Sequence, residues 1–221
     1  MIDWHKALKL YFIAGTQDVV NQEQLEDVLE EAIKFGITCF QYREKGQGSL
    51  QSKEDRLAMA KRLQLLCKSA SIPFIINDDV DLAIEIGADA IHVGQSDKPI
   101  AETIELAKQY HMDVGLSVNT IEQLKIASTV DGLHYVGVGP IFPTTSKSDA
   151  EPAIGVHGLA ERIELYPDIP KVAIGGINVK NAAEVLHTKV EGIAVISAIT
   201  ASQHRDRDIQ ILLMNDRFLV S

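Results

Sequence analysis

Eight short apolar runs punctuate the 221-residue sequence, and longer segments with helical periodicity separate them. The runs are Leu10–Ala14, Thr38–Arg43, Pro73–Asn77, Ala90–Gly94, Asp113–Val118, Leu133–Val138, Lys171–Ile174 and Gly192–Ile196. Rich in Val, Ile, Phe and Tyr, and bounded by Gly, Pro, Asn or Asp, they read as strands. Between them, Asn21–Phe35 puts Leu25, Val28, Leu29, Ala32 and Ile33 on one stripe with acidic residues opposite. Ser52–Ala70 repeats that pattern, with Ser52 as N-cap and Asp55 as a weak capping-box partner. Further helices are expected over Thr120–Thr129, Asn178–His187 and Asp208–Leu219. Gly36, Gly87 and Gly192 stand where a helix yields to a strand, a position that favours a left-handed residue.

Strand-helix alternation without a linker, a composition shift or a low-complexity block calls for a parallel sheet with right-handed crossovers. Eight such units close a barrel. The expected fold is therefore α/β: a single (β/α)8 TIM barrel over residues 1–221, with a short N-terminal extension at 1–9. An open dinucleotide-binding sheet would carry G-x-G-x-x-G after its first strand. The sequence has Ala14-Gly15-Thr16-Gln17-Asp18-Val19 there.

Charge narrows the partners. With 21 Lys+Arg against 31 Asp+Glu the net charge is −10, which argues against nucleic acid, whose binding needs a basic face. The same excess would oppose anionic ligands, except that net charge does not set the charge of a cleft. No segment approaches the roughly 18–20 apolar residues of a membrane span, and Met1–Leu10 is too polar for a signal-peptide core. Cys39 and Cys67 lie in apolar segments without a metal-ligand partner and read as buried hydrophobes. The expectation is a cytoplasmic protein acting on small molecules, with no membrane partner and homo-oligomerisation left open.

In a barrel the chemistry gathers at the C-terminal ends of the strands. After the second strand, alternation places Gln41, Arg43 and Lys45 on one side. Two cations there suit a clamp for phosphate oxygens, the alternative being a surface charge run. Asn77-Asp78-Asp79 and Gly94-Gln95-Ser96-Asp97 follow the third and fourth strands. Asp79 reads as the N-cap of the next helix. Asp78 and Asp97 can meet at one mouth as hard oxygen ligands for Mg²⁺, or can merely cap and turn their loops. The fifth strand carries Ser117, and His92 in the fourth reads as a packed, hydrogen-bonded core histidine. After the sixth, Pro140 and Pro143 introduce a hydroxyl-rich loop that reaches Lys147, with 146–151 either a lid or a plain linker. Gly175-Gly176 and Ile196-Ser197 end the last two strands, where barrels frequently bind phosphate.

Taken in order, these ends resemble the thiamin phosphate synthase (thiamine-phosphate pyrophosphorylase) family. The carriers are Gln41-Tyr42-Arg43-Glu44-Lys45, Ile76-Asn77-Asp78, His92-Val93-Gly94-Gln95-Ser96-Asp97, Gly115-Leu116-Ser117, Gly139-Pro140-Ile141-Phe142-Pro143-Thr144, Gly175-Gly176-Ile177 and Ile196-Ser197. The resemblance implies a transferase that joins hydroxymethylpyrimidine diphosphate to a (carboxy)thiazole phosphate, releasing pyrophosphate. It implies that Gln41, Arg43, Lys45, Asn77, Ser117 and Lys147 hold the pyrimidine diphosphate, with Arg43, Lys45 and Lys147 stabilising the leaving group. Asp78 and Asp97 would carry Mg²⁺. Thr144, Ser146, Gly176, Ile196 and Ser197 would hold the thiazole phosphate. The family loop usually reads Thr-x-Thr-Lys, whereas this chain has Thr144-Thr145-Ser146-Lys147, keeping the hydroxyl but not the methyl. Two rivals share the barrel: a thiazole tautomerase relative, which needs no paired aspartates, and a non-catalytic phosphate-binding barrel, which needs no cationic clamp.

Overall fold

The computed structural model describes residues 2–20, 23–144 and 152–214. Its strands are β1 (Leu10–Ala14), β2 (Cys39–Tyr42), β3 (Phe74–Asn77), β4 (Ala90–Val93), β5 (Asp113–Val118), β6 (Tyr135–Val138), β7 (Lys171–Ile174) and β8 (Gly192–Val195). Every neighbouring pair is parallel, and β8 returns to β1 with Tyr11 beside Ala194, so the sheet closes into a barrel in sequence order. Helix α1 (Trp4–Ala7) precedes β1. The crossovers are α2 (Leu25–Phe35), α3 (Lys53–Ser69), α4 (Val80–Ile86), α5 (Ile100–Gln109), α6 (Ile121–Ala127), α7 (Gly155–Leu165) and α8 (Ala182–Leu186). Helices α9 (Ser197–Thr200) and α10 (Arg205–Leu212) follow β8. Among the described residues no helix is long and apolar enough to cross a membrane.

Period-2 alternation divides the core in two. Phe12, Phe40, Phe74, Ile91 and Val136 point outward against the helices, where Leu29, Ala32, Leu63 and Cys67 meet them. Tyr11, Cys39, Ile75, Ala90, Tyr135 and Ala194 point inward and fill the barrel. Both cysteines are buried thiols. The N-terminal segment packs below this inner layer. Trp4 stacks on Tyr135 with ring centroids 4.4 Å apart, and its indole N–H donates to Asp113 Oδ2 at 2.9 Å. The barrel is thereby closed at the end opposite the site.

The helices are shorter than the periodicity suggests. Gln24, in extended conformation, delays α2 to Leu25, while Ser52 does cap α3 by accepting from the Asp55 N–H. The helix expected from Asn178 begins only at Ala182. Asn178 and Asn181 side chains accept the N–H groups of Lys180 and Asn178 and donate to the Gly176 carbonyl, a local alternative to helix. The last helix starts early, at Arg205, and ends at Leu212; residues 215–221 lie outside the described ones. Gly36 and Gly87 are left-handed helix ends as expected, but Gly192 is not. Lys189 takes the left-handed conformation at that junction, and Gly192 opens β8 where a Cβ would sit 2.0 Å from the Leu8 carbonyl oxygen.

Candidate active site

The C-terminal strand ends enclose one cavity of about 350 Å³. On the β2–β4 side stand Arg43, Lys45, Asn77, Asp78 and Asp97; Ser117 follows on β5. Across the mouth, on the β6–β8 side, are Thr144, Gly176, Ile196 and Ser197. Of the described candidates only Gln41 lies off the wall: it is buried beneath the floor, its amide on the Tyr11 hydroxyl. Ser146, Lys147 and the expected lid at 146–151 lie outside the described residues.

Backbone geometry aims these groups. Asp78 has φ 61°, a left-handed conformation that costs an L-residue energy and occurs where the surroundings enforce it. Its N–H donates to the His92 carbonyl at 2.9 Å, and Asp79 next to it caps α4 by accepting from Leu82 N–H. Asp97 serves two purposes. Its Oδ2 accepts from Gly94 N–H at 2.8 Å, turning the loop, while Oδ1 lies 3.7 Å from Lys45 Nζ. Lys45 Nζ is closer still to Asp78 Oδ2, at 2.8 Å. The loop holding Lys45 is pinned by Glu44, which accepts from Thr16 N–H, the Thr16 hydroxyl and Leu50 N–H.

The two carboxyls are shifted in opposite directions. Burial pushes the Asp78 carboxyl above its ordinary range despite the Lys45 ammonium. Burial also opposes the charge on Asp97, but hydrogen bonds from Asp78 and from Gly94 N–H, with the nearby Lys45, hold that carboxyl below its ordinary range. The hydrogen bond to Asp78 raises Lys45. Asp78 and Asp97 are the two carboxylates here that could hold a hard divalent cation, whose shell water and substrate oxygens would complete. Arg43 is buried at the wall, and among the described residues it has no carboxylate within salt-bridge reach. A buried guanidinium in that state is ready for an anion.

The opposite side is built for close approach. Gly176 has φ 66°, and a Cβ there would lie 2.7 Å from both Phe142 Cβ and the Pro143 carbonyl oxygen. Ile141 N–H donates to the Ile174 carbonyl and Phe142 N–H to the Gly175 carbonyl, so the β6 and β7 loops are joined beneath Thr144. The short helix α9 begins at Ser197, which lines this side of the cavity with Gly176 and Ile196. Gln95, Asn119 and Gln123, to which the sequence assigns no site role, also line the cavity. Their polarity in strand-end loops was the available signal. Gln95 Nε2 donates to the Ser117 carbonyl, and Asn119 Nδ2 to the Gly139 carbonyl.

A closed parallel barrel whose mouth sets a cationic and carboxylate cluster opposite a glycine-containing side has the make-up of a (β/α)8-barrel enzyme acting on small molecules. The family described as thiamine monophosphate synthase matches residues 10–199. A thiamine-phosphate synthase of Listeria monocytogenes is 55% identical over 195 residues, 88% of this chain and 90% of that protein. One from Histophilus somni is 47% identical over 212 residues, covering 94% and 96%. Among solved structures, a thiamine phosphate pyrophosphorylase from Pyrococcus furiosus superposes with a TM-score of 0.84 at 32% identity, covering 99% of this chain and 100% of that one. The chain belongs to the thiamine monophosphate synthase family, and is a transferase of thiamine biosynthesis. A 3-hexulose-6-phosphate synthase, 16% identical with a TM-score of 0.64, shares the fold alone.

Proposed function

We propose that this chain transfers the hydroxymethylpyrimidine group from its diphosphate to the ring nitrogen of a thiazole phosphate, with or without a carboxylate. The products are thiamin monophosphate and pyrophosphate. One observation carries the reading: Arg43, Lys45, Asp78 and Asp97 share one side of a cavity whose other side is Gly176, Ile196 and Ser197. Two anionic groups can therefore be held facing each other, one diphosphate and one monophosphate.

The proposed reaction is dissociative. The bond between the pyrimidine methylene carbon and the diphosphate oxygen breaks, its electron pair leaving with pyrophosphate. Arg43 and Lys45 lower the cost of that departing charge, with Lys147 assigned beside them by family resemblance. The electron-rich aminopyrimidine carries the carbon cation, and the thiazole nitrogen lone pair forms the new C–N bond. Thr144, Ser146, Gly176, Ile196 and Ser197 orient the thiazole through its phosphate, so that nitrogen is already placed for attack. Asn77 and Ser117 hold the other substrate. No protein nucleophile is required. Asp78 and Asp97 would hold Mg²⁺, which supplies positive charge to diphosphate oxygens when bound. The convergence of both carboxylates on one ammonium, Lys45 Nζ lying 2.8 Å from Asp78 Oδ2 and 3.7 Å from Asp97 Oδ1, fits that assignment.

The test is Mg²⁺-dependent pyrophosphate release with both substrates present. Release that requires both, and that collapses in Asp78→Ala and Arg43→Ala, supports the transfer. Conversion of a thiazole phosphate without diphosphate or Mg²⁺ would point to a tautomerase, and binding without turnover to a non-catalytic barrel. Free thiols at Cys39 and Cys67 suit a reducing cytoplasm.

A further inference from the structure

Four hydrogen bonds run in series through the barrel interior, from β2 to β5. Gln41 Nε2 donates to the Tyr11 hydroxyl at 2.7 Å, and the Tyr11 and Tyr135 hydroxyls are 2.8 Å apart. Tyr135 lies 3.1 Å from His92 Nδ1, and His92 Nε2 lies 2.9 Å from Ser117 Oγ. Gln41, Tyr11, Tyr135 and His92 are all buried; only Ser117 opens on the cavity. The sequence makes space for this series at Gly115, where a Cβ would fall 2.2 Å from Tyr135 Cζ and 2.5 Å from His92 Nδ1.

Proton counting gives the series a direction. The Gln41 nitrogen can only donate, so the Tyr11 oxygen is an acceptor there. Tyr11 has one proton of its own. If Tyr135 donated back to Tyr11, that proton would have no acceptor in the series, at a residue only 1% exposed. Tyr11 therefore donates to Tyr135, and Tyr135 to His92 Nδ1. With Nδ1 accepting, the His92 ring carries its proton on Nε2 and gives it to Ser117 Oγ. The Ser117 proton is left to point into the cavity. Burial pushes both phenols well above their ordinary pKa, which keeps them protonated throughout.

We propose that Gln41, Tyr11, Tyr135 and His92 are positioning residues that fix the His92 tautomer and so hold Ser117 as a hydrogen-bond donor to an anionic substrate oxygen. In the opposite direction Ser117 would give its proton to His92 and present lone pairs to that oxygen. A hydrogen bond to a charged acceptor is worth roughly ten- to a hundredfold in affinity. The effect on substrate rests on the diphosphate reading proposed above; the direction of the series does not.

Two measurements on the full chain test this. Long-range ¹H–¹⁵N correlation spectra report ring tautomers, and the His92 signals are identified by their loss in His92→Asn. A neutral ring protonated at Nε2 is expected; protonation at Nδ1 overturns the proposal. Tyr135→Phe breaks the series without touching the cavity wall, and Tyr11→Phe breaks it one step further back should the first variant fold poorly. Either is expected to mix the tautomers and raise KM for the pyrimidine diphosphate roughly tenfold, while KM for the thiazole phosphate stays within about twofold. An unchanged KM, or both KM values rising together, overturns it. Failure of the diphosphate reading would show instead as no turnover of that substrate by the unsubstituted protein, beside the expected tautomer.

Discussion

Lys45 Nζ rests 2.8 Å from Asp78 Oδ2, so an ammonium already occupies the carboxylate assigned to a divalent cation. On that assignment the two cations would compete for one acidic pair. A half-exposed ion pair is worth about 0.2–1 kcal/mol, so Lys45→Met should bind metal up to about fivefold more tightly without substrate. Turnover should nevertheless fall about a hundredfold, because the leaving diphosphate loses a positive partner. Binding is read by Mn²⁺ electron paramagnetic resonance and turnover by pyrophosphate release. Equal Mn²⁺ affinity in both proteins would show that Lys45 does not share the site.

Gly176→Ala should damage the other side of the cavity selectively. Its left-handed φ of 66° and the 2.7 Å approach of a Cβ to Phe142 Cβ and the Pro143 oxygen leave no room for alanine without moving the β6 loop. The loop carrying Thr144 is what shifts, so KM for the thiazole phosphate should rise about tenfold or more. KM for the pyrimidine diphosphate should stay close to its starting value. Steady-state kinetics with each substrate varied in turn decides between this and a general loss of fold.

The sequence already displays the strands and most of the mouth, and each has a physical reason. Strand ends such as Asn77-Asp78 and Gly94-Gln95 interrupt apolar alternation with polar or turn residues, which is visible residue by residue. Once eight strands imply a barrel, those interruptions must share one face, so Arg43, Asp78 and Ser197 converge without any long-range information. Tyr11 and Tyr135 are different. An inward tyrosine and an outward phenylalanine look alike in an apolar run, and only closure of the barrel brings their hydroxyls to 2.8 Å. Gln41 illustrates the same limit: its strand position is legible, but whether it stops at the wall or beneath it depends on Tyr11 across the barrel. Helix α1 spans one turn, too short for periodicity to reveal, and the Asn178–Asn181 turn replaces helix through side-chain bonds that composition does not disclose.

Closure of the chain should depend on Arg205. Its guanidinium donates to Glu23 at 2.6 and 2.9 Å, to Glu31 at 2.8 Å and to the Ile199 carbonyl at 3.0 Å, tying α10 to α2. Arg205→Met keeps the apolar stem but strands two carboxylates and the Ile199 and Thr200 carbonyls, and should cost about 2 kcal/mol. Arg205→Lys should recover less than half, because a point ammonium with three donors cannot serve two carboxylates and two carbonyls spread over this fork. Urea unfolding gives both values, and a loss below about 0.5 kcal/mol for the methionine variant would contradict the assignment.

The lower end of the barrel offers an acid-sensitive contact with its own reporter. Asp113 receives the Trp4 indole N–H at 2.9 Å and lies 3.0 Å from His134 Nε2; Val114 N–H donates to His134 Nδ1, leaving the ring proton on Nε2 for Asp113. Burial opposes the Asp113 charge, but the hydrogen bonds from His134 and Trp4 outweigh it and hold the carboxyl below its ordinary range. A depressed folded pKa stabilises the fold wherever the unfolded carboxylate is already ionised, above about pH 4, and that contribution disappears as pH falls through the folded value. Asp113→Asn keeps an acceptor for Trp4 but has no charge to lose. The unsubstituted protein should therefore exceed the variant by about 1 kcal/mol at neutral pH, with the gap closing below about pH 4. Trp4 is the single tryptophan of the chain, so denaturant curves followed by its fluorescence report this end directly. A gap that persists unchanged to pH 3 would show that the Asp113 charge does not hold the N-terminal helix.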